Sequence, residues 1–546
     1  MAEPDGSPTL GRQGSWRATT AARVVAWLAA SIPFVVAALD AIRRGWAPVG
    51  DDAVITMRSF QVIGSHSPLV GQFSQASTPG HPIFDLGPLM YWVLAVPIHL
   101  DPAKGALWGA ALLCAAASIL AVEAGWAVAG RAGAVVTSAA VLAAVAGVRS
   151  WPLDPVWNPH FGLSFYVATA AGAWAVAAGR RWWLPVVAFT ASLAAEAHVM
   201  YAISTFILVA LAVAVGVGGA QRGTRREWGL PVLAAAVVIL ACWIAPLVQQ
   251  IAGHPGNLSA LWSWDIGRQK LGLAFGLRAL SATGWWHPLW WSASSSFDFF
   301  GIYGRIAHAP LWAGPVLLAG TAVIGAAAWR LGNRRLGTLA AVTLAAMVGL
   351  VATYGGLAST GALELSYLDV MAWPAGILIW ICWTWALTEA AVALLARGRA
   401  VGRVRAPGTR SVELLLAAGV AVLVVLASAI SVEVVGGARR DSSVALLWSS
   451  TRQVDAINRD FLALRLPHGP VAVDVSVPGS SLLSYGDTYG LMWQLVVDGY
   501  SPELPGFFTV PVGPEIGIRQ GVEMVQVLET PEGPKLELTR TGSSSG

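Results

Sequence analysis

The chain has 546 residues, of which 56% are hydrophobic and only 12% charged, with a formal net charge of +4. Many apolar runs approach the roughly 20 residues that cross a bilayer, which excludes an ordinary soluble domain and points to a polytopic α-helical membrane protein. The three cysteines, Cys114, Cys242 and Cys382, lie in apolar runs without CxxC or CxxH spacing, which excludes a disulfide framework and a cysteine-ligated zinc site.

In chain order, the first twenty residues are polar and basic, carry no cleavable-signal pattern and read as a cytoplasmic tail. The first span is predicted at 21–42. Further spans are predicted at 105–129, 133–148, 161–178, 183–197, 201–217, 230–251, 312–331, 339–354, 368–395 and 412–435, about eleven in all. Between the first two lies the segment 86–100. It is apolar and aromatic but short, and it is bounded or interrupted by Pro88, Pro97 and Pro102, so it reads as a helix lying on the bilayer surface.

Charge placement supports this count. With the N-terminus inside, the larger arginine clusters fall on the cytoplasmic side: Arg12, Arg17 and Arg23, then Arg131, Arg180 and Arg181, Arg222 to Arg226, Arg330 to Arg335, and the run at 397–405. The pairs Arg43-Arg44 and Arg439-Arg440 fall on the other side. The expected division is a transmembrane domain at 1–436, with extracytoplasmic loops at 44–104, 149–160 and 252–310, and an extracytoplasmic α/β domain at 437–546. In that last part 449–466 and 481–498 have helical periodicity, and 470–477, 524–528 and 535–540 alternate like strands. The tryptophans of G-W-W-H-P-L-W-W at 284–291 suit the headgroup level.

The candidate chemistry concentrates in the outer loops. Asp51 and Asp52 follow directly on the first span, with Arg58 about two helical turns on. Acids in a first helical turn are also simply favourable there, but a carboxylate at a membrane surface can accept a proton from an attacking hydroxyl. Glu196 and His198 sit at the outer end of a span, where ionisable side chains are expensive; either the pair caps the turn, or His198 donates to a lipid-linked phosphate or a sugar hydroxyl. Two residues apart on a helix, they do not share a face. The rigid W-P-L-D-P-V-W-N-P-H run at 151–160 either is a plain turn or brings Asp154 and Asn158 toward Asp51. Arg268, Lys270, His287, Arg305 and His308 are candidates for phosphate contacts or interfacial anchors, and Glu364 and Asp369 flank a late span. Apart from the low-complexity G-S-S-S-G at 542–546, the sequence holds no GxxxxGK[ST], GxSxG or HExxH motif, and nothing indicates a nucleic-acid partner. An acidic pair without further oxygen ligands does not indicate a metal, so no cofactor is expected.

The order of these features resembles the GT-C membrane glycosyltransferases that use polyprenyl-phosphate sugars. The segments G-D-D-A-V-I-T-M-R, G-P-L-M-Y-W-V-L-A-V-P, W-N-P and E-A-H-V-M-Y are similar to those of an actinobacterial arabinofuranosyl- and mannosyltransferase-like family. The resemblance spans about residues 20–400. The H-P-G-P run common in such proteins is split here, His81-Pro82 standing apart from Gly87-Pro88.

The resemblance implies transfer of a sugar, arabinofuranose or mannose, from a decaprenyl-phosphate donor to a cell-envelope polysaccharide or lipoglycan on the outer face of a bacterial plasma membrane. The residues themselves supply the candidates: Asp51 or Asp52 as base, and Arg58, His81, Tyr91, Asp154, Trp157, Asn158, Glu196, His198, Trp286, His287 and Arg305 for substrate binding. One base without a carboxylate nucleophile points to inversion. The rival readings are a transporter or flippase of lipid-linked sugars, which needs charged residues midway through its spans, and a non-catalytic glycan-binding scaffold.

Overall fold

The computed structural model describes residues 10–74, 77, 82–219, 225–266, 268–291, 299–359, 370–400, 409–437, 442–466, 468–476, 481–503, 511–512, 523–530 and 533–540. His81, Glu364 and Asp369 lie outside them. The first part is helical: α1 (Leu10–Arg43), α2 (Gly50–Gln61), α3 (Leu89–Leu100), α4 (Gly105–Gly147), α5 (Asn158–Ala177), α6 (Trp183–Ala197), α7 (Met200–Gly218), α8 (Gly229–Ala252), α9 (Asn257–Ile266), α10 (Gly272–Gly284), α11 (Phe299–Ala307), α12 (Ala313–Arg330), α13 (Arg334–Gly356), α14 (Ala372–Ala400) and α15 (Thr409–Gly437). Seven described helices are long and apolar enough to cross a membrane. One of these, the 43-residue α4, is two helices folded back at Gly130, whose φ of 60° suits glycine alone. Gly125 and Gly133 let the two arms touch, since a Cβ on either would strike the other's backbone. The predicted spans at 105–129 and 133–148 are these arms.

The bundle grows by neighbour packing: α1 and α5 flank α4, α6 packs on α5, and α7 packs on α5 and α13. Helix α3 has 12 residues and is about 18 Å long, too short to span. It packs on α2, α4 and α6 at one end of the bundle. The predicted 252–310 loop differs from expectation: it contains α9, α10 and α11, and α10 packs against α12, α13 and α14. Its buried Ala279 and Leu280 lie on the packed face. A 13-residue helix with glycine at each end carries too little apolar length to be read as a span, so the sequence pattern hides it.

The chain closes with α16 (Ser442–Ala463), β1 (Pro470–Ser476), α17 (Ser481–Val497), β2 (Ser501–Glu503), β3 (Glu523–Thr530) and β4 (Gly533–Arg540). The four strands form one sheet in the order β2-β1-β3-β4. β1 runs parallel to β2 and β3, with Val473 opposite Val525, and β3 pairs antiparallel with β4. Helix α17 supplies the crossover that a parallel β1–β2 pair requires. The expected helices and strands of this region are present, and β2 is the addition.

Candidate active site

Helix α2 starts at Gly50, whose φ of 55° turns the chain out of extended Val49 and into the helix. Asp51 and Asp52 fall in its first turn, where the helix dipole favours acids. Successive helical residues point about 100° apart, and the two carboxylates meet different surroundings.

Asp51 is half-buried, and each of its oxygens receives a neutral donor. Gln72 Nε2 donates to Oδ1 at 3.2 Å and Trp157 Nε1 donates to Oδ2 at 3.2 Å. Gln72 is itself held, because Tyr91 Oη donates to its Oε1 at 2.9 Å. Tyr91 and Gln72 are both buried, so α3 supports Asp51 through a short relay. Burial, the nearby Arg58 and the carboxylates of Asp85 and Asp51 act on the Tyr91 phenol with a net upward shift, which keeps it a hydrogen-bond donor.

Asp52 points inward and is buried against Asp154. Burial pushes both carboxyl groups above the ordinary carboxylate range, the hydrogen bond between them shares one proton, and the neighbouring Asp51 charge adds to the effect. Asp154 Oδ1 has no hydrogen-bond partner among the described residues. The run at 151–160 therefore reaches the acidic pair from across the bundle end, and it does so with Trp157 on Asp51 and Asp154 on Asp52.

Asn158 takes a third role. Its Nδ2 donates to Asp85 Oδ2 at 2.9 Å and to the Ala197 carbonyl at 3.0 Å. The other oxygen of Asp85 accepts the Val199 backbone N–H at 2.9 Å. Asp85 is buried and pushed up to about 8, chiefly by burial, against these two donors. Asn257, the first residue of α9, clamps the same strand of chain: its Oδ1 accepts from Phe84 N–H at 3.0 Å and its Nδ2 donates to the Phe84 and Asp85 carbonyls. Sequence reasoning missed Asp85, Gln72 and Asn257. The one signal was an acid, Asp85, two residues before the G-P-L-M-Y-W segment.

Glu196 is the second-last residue of α6, and His198 caps that helix at the α6–α7 turn. Glu196 is buried, and its Oε2 accepts the Leu89 N–H at 3.2 Å at the start of α3. Its Oε1 has no partner among the described residues. Gly87 permits this approach, since a Cβ there would collide with Oε2. His198 is buried; its Nδ1 accepts from Met200 N–H at 3.3 Å, and its ring lines a small cleft with Pro159, Tyr201, Val370 and Met371.

Arg58 lies on α2 but turns toward the C-terminal region, its Nη1 donating to Gln61 Oε1 at 2.8 Å and to the Val512 carbonyl at 3.1 Å. Trp286 and His287 are exposed, His287 with a φ of 60° and its ring stacked 6.3 Å from that of Trp291. Arg305 ends α11. Lys270 pairs with Asp265, and Arg268 lies 4.2 Å over the Trp264 ring. No group of His, Cys, Asp and Glu fit to hold a metal ion occurs among the described residues.

No family model matches the chain, and no curated protein matches it. Among solved structures it is similar to ArnT from Cupriavidus metallidurans bound to undecaprenyl phosphate, with 15% identity over 95% of this chain and 93% of that one and a TM-score of 0.47. The apo state of the same protein gives 16% identity, 96% and 94% coverage, and a TM-score of 0.48. The archaeal oligosaccharyltransferase AglB from Archaeoglobus fulgidus, in complex with an inhibitory peptide and a dolichol-phosphate, is 12% identical over 94% of this chain and 74% of that one, with a TM-score of 0.35.

Proposed function

We propose that the protein is a GT-C-type membrane glycosyltransferase in which Asp51 is the general base. The observation that carries this reading is the contrast within one helical turn. Asp52 is buried in a proton-sharing pair, whereas Asp51 is partly open, with each oxygen oriented by Gln72 or Trp157. A positioned, accessible carboxylate at the end of a membrane bundle suits removal of a proton from an acceptor hydroxyl. That oxygen attacks the anomeric carbon of a lipid-phosphate-linked sugar. The carbon–oxygen bond to phosphate breaks, the lipid phosphate leaves with the electron pair, and the configuration inverts. A phosphate leaving group needs no strong acid, so a single base suffices.

The sugar proposed is arabinofuranose or mannose, the donor a decaprenyl phosphate and the acceptor a cell-envelope glycan, as the sequence resemblance implies. Glu196 and His198, at the α6–α7 turn beside α3, are the proposed contacts on the donor side. The site end is proposed to face outward, with 437–546 an extracytoplasmic domain. Cysteines placed at Ser449 and Arg403 check the topology: an impermeant reagent on intact cells labels the first and not the second. The function is tested with purified protein in lipid nanodiscs, given radiolabelled mannosyl- or arabinofuranosyl-decaprenyl phosphate and envelope glycan. Sugar transfer with release of decaprenyl phosphate is expected. Donor that crosses the bilayer intact, with no transfer, would establish the transporter reading instead.

A further inference from the structure

The C-terminal α/β unit touches α2 along its whole length. Ahead of α2, Thr451 Oγ1 on α16 donates to the Ala47 carbonyl at 3.3 Å. At its first turn, Gly490 of α17 is seated so closely that a Cβ there would stand 3.0 Å from Val49 Cγ1 and Val454 Cγ2 and 3.3 Å from the Pro48 carbonyl oxygen. One turn earlier on α17, Gly486 faces Gly50, where a Cβ would lie 3.8 Å from the Gly50 nitrogen. At the far end of α2, Arg58 and Gln61 both donate to the Val512 carbonyl, at 3.1 and 3.0 Å. Phe60 meets Trp493 of α17 edge-on at 5.6 Å, and Trp493 Nε1 donates to the Pro102 carbonyl at 3.1 Å, which ties the same helix to the start of α4.

We propose that the C-terminal unit is a positioning element of the Asp51 site: α17 and the Val512 turn hold both ends of α2, and the close seat of Gly490 fixes where its first turn, and with it Asp51, stands. A helix of 12 residues is marginal alone in water. With Gly50 as its flexible entry, α2 depends on tertiary contacts for its exact placement, and these contacts come from α17 on one side and α3 on the other. The claim about turnover rests on the glycosyltransferase reading; the claim about α2 does not.

The test uses the full chain in nanodiscs and two readouts. Hydrogen exchange without substrate reports on residues 50–61. Transfer from decaprenyl-phosphate mannose and arabinofuranose reports on kcat and donor KM. Gly490→Leu overpacks the seat of α17 and should speed exchange at 50–61 by about tenfold or more, while 334–356 stays unchanged. It should lower kcat by about tenfold with donor KM within about twofold, because a misplaced base spoils the transition state and not donor binding. Thr451→Val, which removes the hydrogen bond to the Ala47 carbonyl, should shift both readouts in the same direction by a smaller factor. Unchanged exchange at 50–61 in folded Gly490→Leu overturns the proposal whatever the transfer rate. Faster exchange with unchanged kcat overturns the positioning role. If the wild type transfers no sugar, the exchange arm still decides how α2 is held, and the failure belongs to the functional reading. If Gly490→Leu does not fold, Thr451→Val carries the same two readouts.

Discussion

At the end of the bundle away from the site, Glu123 is held by the Arg23 guanidinium, by Trp27 Nε1 at 2.7 Å, and by the aromatic walls that Trp27 and Trp126 place beside Arg23. At the site end, about 27 Å away along α4, Asp52, Asp85, Asp154 and Glu196 are buried with hydrogen bonds from backbone, amide and carboxyl groups, and no ion pair to any of the four is formed among the described residues. One region neutralises its carboxylate with a cation and so spends it on holding α1 to α4. The other buries its carboxyl groups without a cation, which costs desolvation and holds Asp52, Asp85 and Asp154 above the ordinary carboxylate range. Buried acids with strongly raised proton affinity in a cleft mark functional sites more often than structural ones. The same bundle thus shows what a structural carboxylate looks like, and the site end departs from it.

Asp52→Asn sharpens the contrast first. An amide replaces one member of a proton-sharing pair and retains a donor, so transfer should fall by less than about tenfold, well below the loss expected of a general base. A loss as large as that of Asp51→Asn would make the pair, and not Asp51 alone, the catalytic unit. Glu123→Gln addresses the other region. Removing the charge from a pair whose arginine side chain is 37% exposed should lower stability by about 1 kcal/mol or less, read by thermal melting, and leave transfer unchanged. A marked fall in transfer at unchanged melting temperature would erase the distinction between the two ends.

Asp85 supplies the smallest effect. Its carboxyl is pushed up to about 8 in the fold, against about 4 in an unfolded chain. The folded state therefore binds the proton more tightly, and this contribution is fully present below the unfolded value and lost as pH rises toward 8. Melting temperature should decline from pH 5 to pH 8, and Asp85→Asn should flatten part of that decline. An identical slope in the variant would show that Asp85 does not carry a raised proton affinity.

The bundle was legible because long apolar runs and arginine placement are local signals, and the two arms of α4 show as separate runs around Gly130. The helices and strands of the C-terminal unit were legible for the same reason. The partners of Asp51 were not. Gln72 lies in a polar stretch that reads as solvated loop, and it becomes a buried ligand only because α3 folds back to present Tyr91. The Asp52–Asp154 pair joins residues from different loops, and no spacing rule links them. Asp154 and Asn158 were both expected near Asp51, but their division between Asp52 and Asp85 is set by which way the start of α5 faces. Arg58 was expected to meet a phosphate, and the Val512 carbonyl it meets comes from the end of the chain, a docking that amphipathicity in α17 does not specify.

The most direct measurement is a paired one on Asp51→Asn, which keeps the size of the side chain and removes its basicity. Purified variant and wild type are compared for melting temperature, for binding of decaprenyl-phosphate sugar and for sugar transfer. The account predicts unchanged melting, donor binding within about twofold, and transfer lower by about 10²–10⁴-fold. A folded Asp51→Asn protein that transfers sugar at near wild-type rates would contradict it.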